Sequence, residues 1–137
     1  MKEEIIQLIA QNNSVDRGLY IGGSLVDYVD KIFALSTIIP YYDKGELLAF
    51  ISYYNNDELK QNSFLTLILV GEKHQGRGIG KNLLHFAIND LIKLNFKFLS
   101  LEVLKSNNVA ISFYRSLGFE EKKETGEYIF MQKELRI

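Results

Sequence analysis

The run Gln75-Gly76-Arg77-Gly78-Ile79-Gly80 constrains this chain more than any other feature. It stands between an apolar, strand-like stretch, Phe64 to Val70, and an amphipathic helical pattern over about 79–94. In that pattern Ile79, Leu83, Ala87, Leu91 and Leu94 share one face, and Lys81, Asn82, His85, Asn89 and Lys93 lie elsewhere. A second strand-like run, Phe98 to Leu104, follows after Asn95, a residue suited to ending a helix. A strand, a glycine turn, a helix and a strand make a crossover unit. Its two strands are expected to be parallel and its connection right-handed.

The remaining pattern extends this unit into a mixed sheet. Ile5, Ile6, Leu8 and Ile9 predict a short helix over 3–12, and residues 13–23 read mainly as loop. Ser24 and Asp27 form a Ser-x-x-Asp capping signal for a helix reaching about residue 36. Ile38–Tyr42 and Leu47–Tyr54, joined by Asp43-Lys44-Gly45, predict a hairpin. A helix over about 108–117 ends at Gly118, and Phe119–Lys123 with Tyr128–Leu135 predict a closing hairpin. The expected fold class is α/β, a central mixed sheet with helices packed on it, formed as one domain over residues 1–137. An apolar content of 47% supplies its core, and a single proline argues against a linker-rich chain.

The glycine loop suits a phosphate. The first turn of a helix carries unpaired N–H groups and a partial positive charge. An anion placed there is bound by backbone alone, provided no side chain holds it away. Gly76, Gly78 and Gly80 remove that obstacle, and Arg77 and Lys81 add charge at the rim. Two common phosphate motifs do not fit. Gly71 and Gly76 have P-loop spacing, but Arg77 and Gly78 stand where Lys and Ser/Thr belong. Gly76-x-Gly78-x-Gly80 is one residue short of a dinucleotide fingerprint, and no well-placed acid follows the next strand.

Gln75-x-x-Gly78-x-Gly80 instead resembles the pyrophosphate loop, Gln/Arg-x-x-Gly-x-Gly/Ala, of the GCN5-related N-acetyltransferase (GNAT) family. Asn107-x-x-Ala110-x-x-Phe113-Tyr114-x-x-x-Gly118-Phe119 resembles that family's C-terminal signature. The two motifs span residues 64–119, and the order of elements extends the likeness over roughly 24–135. Before residue 24 the family's usual first strand is hard to identify. The resemblance implies helices on both faces of the sheet and a splayed pair of parallel strands, 64–70 and 98–104. A pantetheine arm enters between them, pairing with backbone at Leu69 and Val70 near an expected bulge. It implies acetyl-CoA as acyl donor, held by Gln75, Gly76, Arg77, Gly78, Ile79, Gly80, Lys81, Asn107 and Phe113. It also implies direct transfer of the acetyl group to a primary amine of a small molecule or peptide in a ternary complex.

On that reading Tyr114 protonates the departing thiolate, since a phenol stays protonated at neutral pH. Asn107 also suits plain helix capping. The general base is left open. Strand 64–70 carries no acid, and Glu102, on the neighbouring strand, is preferred over Glu72, Asp57, Glu58 or water relayed by Tyr53 or Tyr54. Lys73, Lys105 and Arg115 are candidates for the 3′-phosphate, with solvated charges as the ordinary alternative. His74 reads as an exposed loop residue, and His85 is given no role. Helix 24–36, the loop after it and turn 123–128 are expected to shape the acceptor pocket, and Tyr41, Tyr42, Tyr53 and Tyr54 lend aromatic character nearby. A catalytically silent acetyl-CoA-binding or sensor module is the alternative function.

Composition narrows the partners. A net charge of −1 gives no global pull toward nucleic acid or membrane. The absence of cysteine removes disulfides, thiolate metal sites and a thiol nucleophile, and two separated histidines are a poor metal site. Met1-Lys2-Glu3-Glu4 is acidic and leads into only a short apolar stretch. Neither a signal peptide nor a membrane span is expected, and the cytoplasm is the expected location. The expected partners are acetyl-CoA and an unidentified amine, with no metal, in a monomer or homodimer.

Overall fold

The computed structural model describes residues 1–12 and 23–135, so the expected loop at 13–23 falls outside the described residues except for Gly23. Helix α1 spans Lys2–Asn12 and α2 spans Leu25–Leu35. The Ser24 hydroxyl accepts a hydrogen bond from the Asp27 N–H at 3.2 Å, so the capping signal sets the start of α2 as expected. Strands β1 (Thr37–Asp43), β2 (Glu46–Tyr54) and β3 (Asn62–Val70) follow, then α3 (Ile79–Lys93), β4 (Phe98–Leu104), α4 (Asn108–Ser116), β5 (Glu120–Thr125) and β6 (Tyr128–Glu134). The six strands form one sheet in the order β1-β2-β3-β4-β6-β5. Among its pairings only β3 with β4 is parallel, so the crossover expected around α3 is present.

Each face of the sheet has its own core. On one side Leu65, Leu99, Leu101, Val103, Ile129 and Met131 pack against α3 and α4. Helix α3 contributes Ile79, Leu83, Leu84, Ala87, Ile88 and Leu91, all buried. Burying each Leu or Ile side chain contributes about 1.5–3 kcal/mol, which fixes the helix and its first turn on the sheet. On the other side Phe50 and Leu69 pack against Ile5, Leu8 and Ile9 of α1 and Val29 and Ile32 of α2. Alternation then places Ser52 and Tyr54 of β2 on the α1/α2 face, and Glu102 of β4 on that side as well, since Leu101 and Val103 point the other way.

The sheet divides between β3 and β4. Their ladder consists of Asn62↔Phe98, Ser63↔Leu99 and Phe64↔Ser100, and there it stops. Beyond it β3 stays paired to β2 as far as Val70, and β4 stays paired to β6 along its whole length to Leu104. Two internally bonded half-sheets therefore diverge from a shared base, which is the splay expected for these strands. The bulge lies elsewhere than expected. Register shifts between Ser52↔Leu67 and Tyr53↔Leu65, so the extra residue is Thr66, whereas Leu69 and Val70 pair regularly with Phe50 and Ala49. An unpaired residue at Thr66 bends β3 just past the last rung it shares with β4.

Tyr53 and Asp57 take structural roles. The Tyr53 side chain is fully buried on the α3 face, and its hydroxyl donates to Asp90 Oδ2 at 2.7 Å. Burial, reinforced by that carboxylate, raises its pKa well above the phenol range. Asp57 accepts backbone N–H bonds from Leu59, Gln61 and Asn62, which hold its carboxyl below the usual carboxylate pKa and organise the loop entering β3. Tyr53→Phe removes a hydroxyl that ties β2 to α3. Chemical denaturation is expected to show a loss on the order of 1–2 kcal/mol.

Candidate functional site

Helix α3 begins without the usual cap. Its N-cap is Gly78, with no side-chain hydrogen bond to the first turn. The first intrahelical bond runs from Asn82 N–H to Gly78 C=O at 3.0 Å, so the N–H groups of Ile79, Gly80 and Lys81 have no intrahelical acceptor. Gly76 and Gly78 both sit in the left-handed region, at φ +81° and +79°, and a Cβ at either would meet nothing within 4 Å. The loop thus ends in an open cradle of backbone donors at the positive end of a helix dipole, an arrangement suited to an anion. Gly80 differs. A Cβ there would make ordinary contacts with Val70 Cγ2 at 3.5 Å and Ile68 Cδ1 at 3.8 Å, so its role is close approach of helix to strand.

Side chains brace this loop. Gln75 Nε2 donates to the C=O of Val70 at 3.1 Å, clamping the loop to the end of β3. Arg77 Nη1 lies 3.3 Å from His74 Nδ1, and His74 Nε2 lies 3.8 Å from Glu46 Oε1. His74 is therefore half-buried and joins the loop to β2 instead of standing free in solvent. Lys81 is exposed at the rim, with no ion-pair partner among the described residues. Lys105 pairs with Glu124 at 2.9 Å and Arg115 with Glu121 at 2.6 Å, so two of the cations expected near a phosphate are engaged in surface ion pairs.

The second motif forms a compact aromatic unit on the α3 face. Asn107 Oδ1 accepts from the Ala110 N–H at 3.1 Å and caps α4, so its capping role is present. Tyr114 is gripped edge-on by Phe113 (5.3 Å between centroids) and Phe119 (5.7 Å). Desolvation by these neighbours pushes its phenol pKa well above 10. Its hydroxyl has no hydrogen-bond partner among the described residues. Glu102 lies exposed on the opposite face of the sheet, in register with Phe130. The structure thus gathers Leu69, Val70 and the 75–81 loop at the end of β3. It sets Tyr114 on one side of the gap strands and Glu102 on the other.

A sequence profile of the Acetyltransferase (GNAT) family matches residues 14–119. The chain belongs to this family. This GNAT acetyltransferase is 32% identical over 106 residues to spermine/spermidine N(1)-acetyltransferase of Bacillus subtilis (strain 168), a match covering 71% of the chain and 69% of that protein. Its fold resembles PaiA N-acetyltransferase from Thermoplasma acidophilum in complex with coenzyme A, at TM-score 0.79 and 18% identity, covering 97% and 92% of the two chains. It also resembles the ribosomal-protein-S18-alanine N-acetyltransferase from Escherichia coli, at TM-score 0.82 and 23% identity, covering 99% and 88%. No described helix of this GNAT chain is long and apolar enough to cross a membrane.

Residues that no motif marks are tied together on the sheet's other face. Thr66, Ser52 and Ser36 form a hydroxyl cluster on the α1/α2 face, and Tyr28 of α2 adjoins it. The available signal was a small polar residue inside an apolar run, Ser52 within Leu47–Tyr54 and Thr66 within Phe64–Val70. The two motif glycines separate by stability alone. Gly78→Ala is expected to lose about 1–2 kcal/mol, because a Cβ in the left-handed region is strained. Gly80→Ala is expected to gain up to about 1 kcal/mol from helix propensity. Thermal and urea unfolding of the two variants distinguishes them.

Proposed function

We propose that this chain transfers the acetyl group of acetyl-CoA to a primary amine by direct attack, with residues 1–137 acting as one GNAT unit. The observation that carries this reading is the coincidence of two features at one end of β3: the gap beyond Phe64 and Ser100, and the uncapped glycine cradle opening α3. A pyrophosphate suits the cradle formed by Gly76, Arg77, Gly78, Ile79, Gly80 and Lys81, with Gln75 holding it in shape. An extended arm carrying amides suits the free edge of β3 at Leu69 and Val70, as an added strand would. Asn107 and Phe113, at the start and middle of α4, flank the arm from the other half-sheet.

The thioester supplies an activated acyl carbon and a thiolate leaving group. The chain's own groups supply position and protons. The amine nitrogen forms the new C–N bond as the C–S bond breaks. Tyr114 gives its proton to the departing sulfur, and Glu102, directly or through water, takes the proton released from nitrogen. The attacking amine must be neutral while the phenol is still protonated. A free amine of the lysine type titrates near 10.4, close to an ordinary phenol. The burial that raises the Tyr114 pKa widens the range in which both conditions hold.

Amine classes named for similar proteins, a polyamine and an alanine of a ribosomal protein, define the first acceptors to test. Acetyl-CoA is expected to raise the melting temperature, whereas ATP and NAD leave it unchanged; stabilisation by ATP or NAD alone defeats the assignment. Asn tolerates positive φ, so Gly78→Asn is expected to fold yet lose the acetyl-CoA shift because its side chain occupies the cradle. Tyr114→Phe is expected to keep that shift while turnover falls on the order of tenfold or more. Undiminished turnover removes Tyr114 from proton transfer. Full acetyl-CoA binding without turnover on any amine favours a silent binding module instead.

A further inference from the structure

Strand β5 carries a bulge that turns one side chain over. Glu121 pairs with Met131 and Lys123 with the adjacent residue of β6, Phe130, so Lys122 is the extra residue. In a regular strand Glu121 and Lys123 would share a face. The bulge separates them. Glu121 and Glu124 stay opposite Met131 and Ile129 on the α3/α4 side, where they pair with Arg115 and Lys105. Lys123 goes to the other face with Phe130, and its ammonium lies over the Phe130 ring, 5.4 Å from the centroid.

Phe130 is also in register with Glu102, so Lys123, Phe130 and Glu102 form one row across β5, β6 and β4. The ring is half-buried, and the two charges that flank it are exposed. Neither charge has an ion-pair partner among the described residues. Glu120, further along β5, is matched by Lys122 at 3.9 Å. Helices α1 and α2 leave this row uncovered, because the core beneath them draws only on β1, β2 and β3. The row starts at the gap. Glu102 stands two residues beyond Ser100, where β4 has parted from β3, and Phe130 lies one strand spacing, about 4.8 Å, further along the sheet. An aromatic face beside a carboxylate is suited to an organic cation.

We propose that the Phe130 ring face and the Glu102 carboxylate bind the acceptor as its ammonium, and that Lys123 is a tethered occupant which the acceptor displaces. This rests on the acetyl-transfer reading and adds the class of acceptor, an organic cation carrying a primary amine. Such amines titrate near 10.4 and reach the site protonated at neutral pH. Binding beside Glu102 prepares the next step: an N–H bond breaks, an O–H bond forms on the carboxylate, and the nitrogen lone pair is freed for attack. The Lys123 side chain ends in the same chemical group as the acceptor. It competes for the ring by occupying it and by repelling a second positive charge.

The test is steady-state kinetics on the full chain at saturating acetyl-CoA, with free CoA detected. Spermidine, an alanine-initiated peptide and an aminoglycoside serve as acceptors. For the acceptor that wild type uses best, Lys123→Ala is expected to lower acceptor KM roughly two- to fivefold, the range of one exposed cation–π contact, with acetyl-CoA KM unchanged. Phe130→Leu, which keeps an apolar side chain, is expected to raise acceptor KM by about the same factor. In the double variant the gain from Lys123→Ala is expected to vanish, because both changes act at one ring. Tetramethylammonium, a cation that cannot be acetylated, is expected to compete with the acceptor and not with acetyl-CoA, and to inhibit Lys123→Ala at lower concentration than wild type. Lys123→Ala and tetramethylammonium decide the matter alone if Phe130→Leu does not fold. An acceptor KM for Lys123→Ala at or above wild type overturns the inference and leaves acetyl transfer standing. So does a failure of tetramethylammonium to compete. A wild-type chain inactive on every acceptor overturns both.

Discussion

The early end of the β3–β4 ladder is the constraint from which the rest of the site follows. Two parallel strands that run side by side would ordinarily exchange backbone hydrogen bonds along their shared length. Here the bonds stop at Phe64 and Ser100, and each strand is held away from the other by an antiparallel partner that continues past the split, β2 for β3 and β6 for β4. The unpaired edges are thus a property of two rigid half-sheets and not of a frayed pair. Backbone N–H and C=O groups facing the gap need partners of some kind. An extended, amide-bearing ligand satisfies them in the manner of a missing strand.

On the proposed mechanism, the two faces of the sheet separate the two proton tasks. Along β4 the side chains alternate, so Leu101 and Val103 join the α3-side core while Glu102 faces the α1/α2 side. Tyr114 reaches the sheet from the α3 side, gripped by Phe113 and Phe119. An acid and a base on one face would share solvent and each other's field. Placed on opposite faces, each can follow its own environment: the phenol desolvated among aromatics, the carboxylate exposed.

What the chain's sequence makes legible differs between backbone chemistry and side-chain register. The glycine loop and α4 were readable because their residue types answer local demands. Gly76 and Gly78 meet positive φ, and Asn107 meets an unpaired helix N–H. Ser24 marked the start of α2 for the same reason. The bulge was not readable in that way. Whether Thr66 or Leu69 is the extra residue depends on how β2 pairs across it, a non-local matter on which either strand's own composition is silent. The same holds for Tyr53 and Tyr54. Adjacent in sequence, they point to opposite faces, one spent on Asp90 in α3 and the other facing the α1/α2 side near Tyr28. Tyr28 carries no motif, and its place emerges only when α2 is laid on β2 and β3.

This difference matches a division of labour within the molecule. On the proposed reading, the donor side is built from backbone groups, the loop N–H groups and the free edge of β3, and tolerates only residues that leave those groups exposed. On the same proposed reading, the acceptor side is built from side chains on α2, β2, β3 and β4, each replaceable without disturbing the ladder that carries it. A chain of this kind can keep one acyl donor while its amine partner changes.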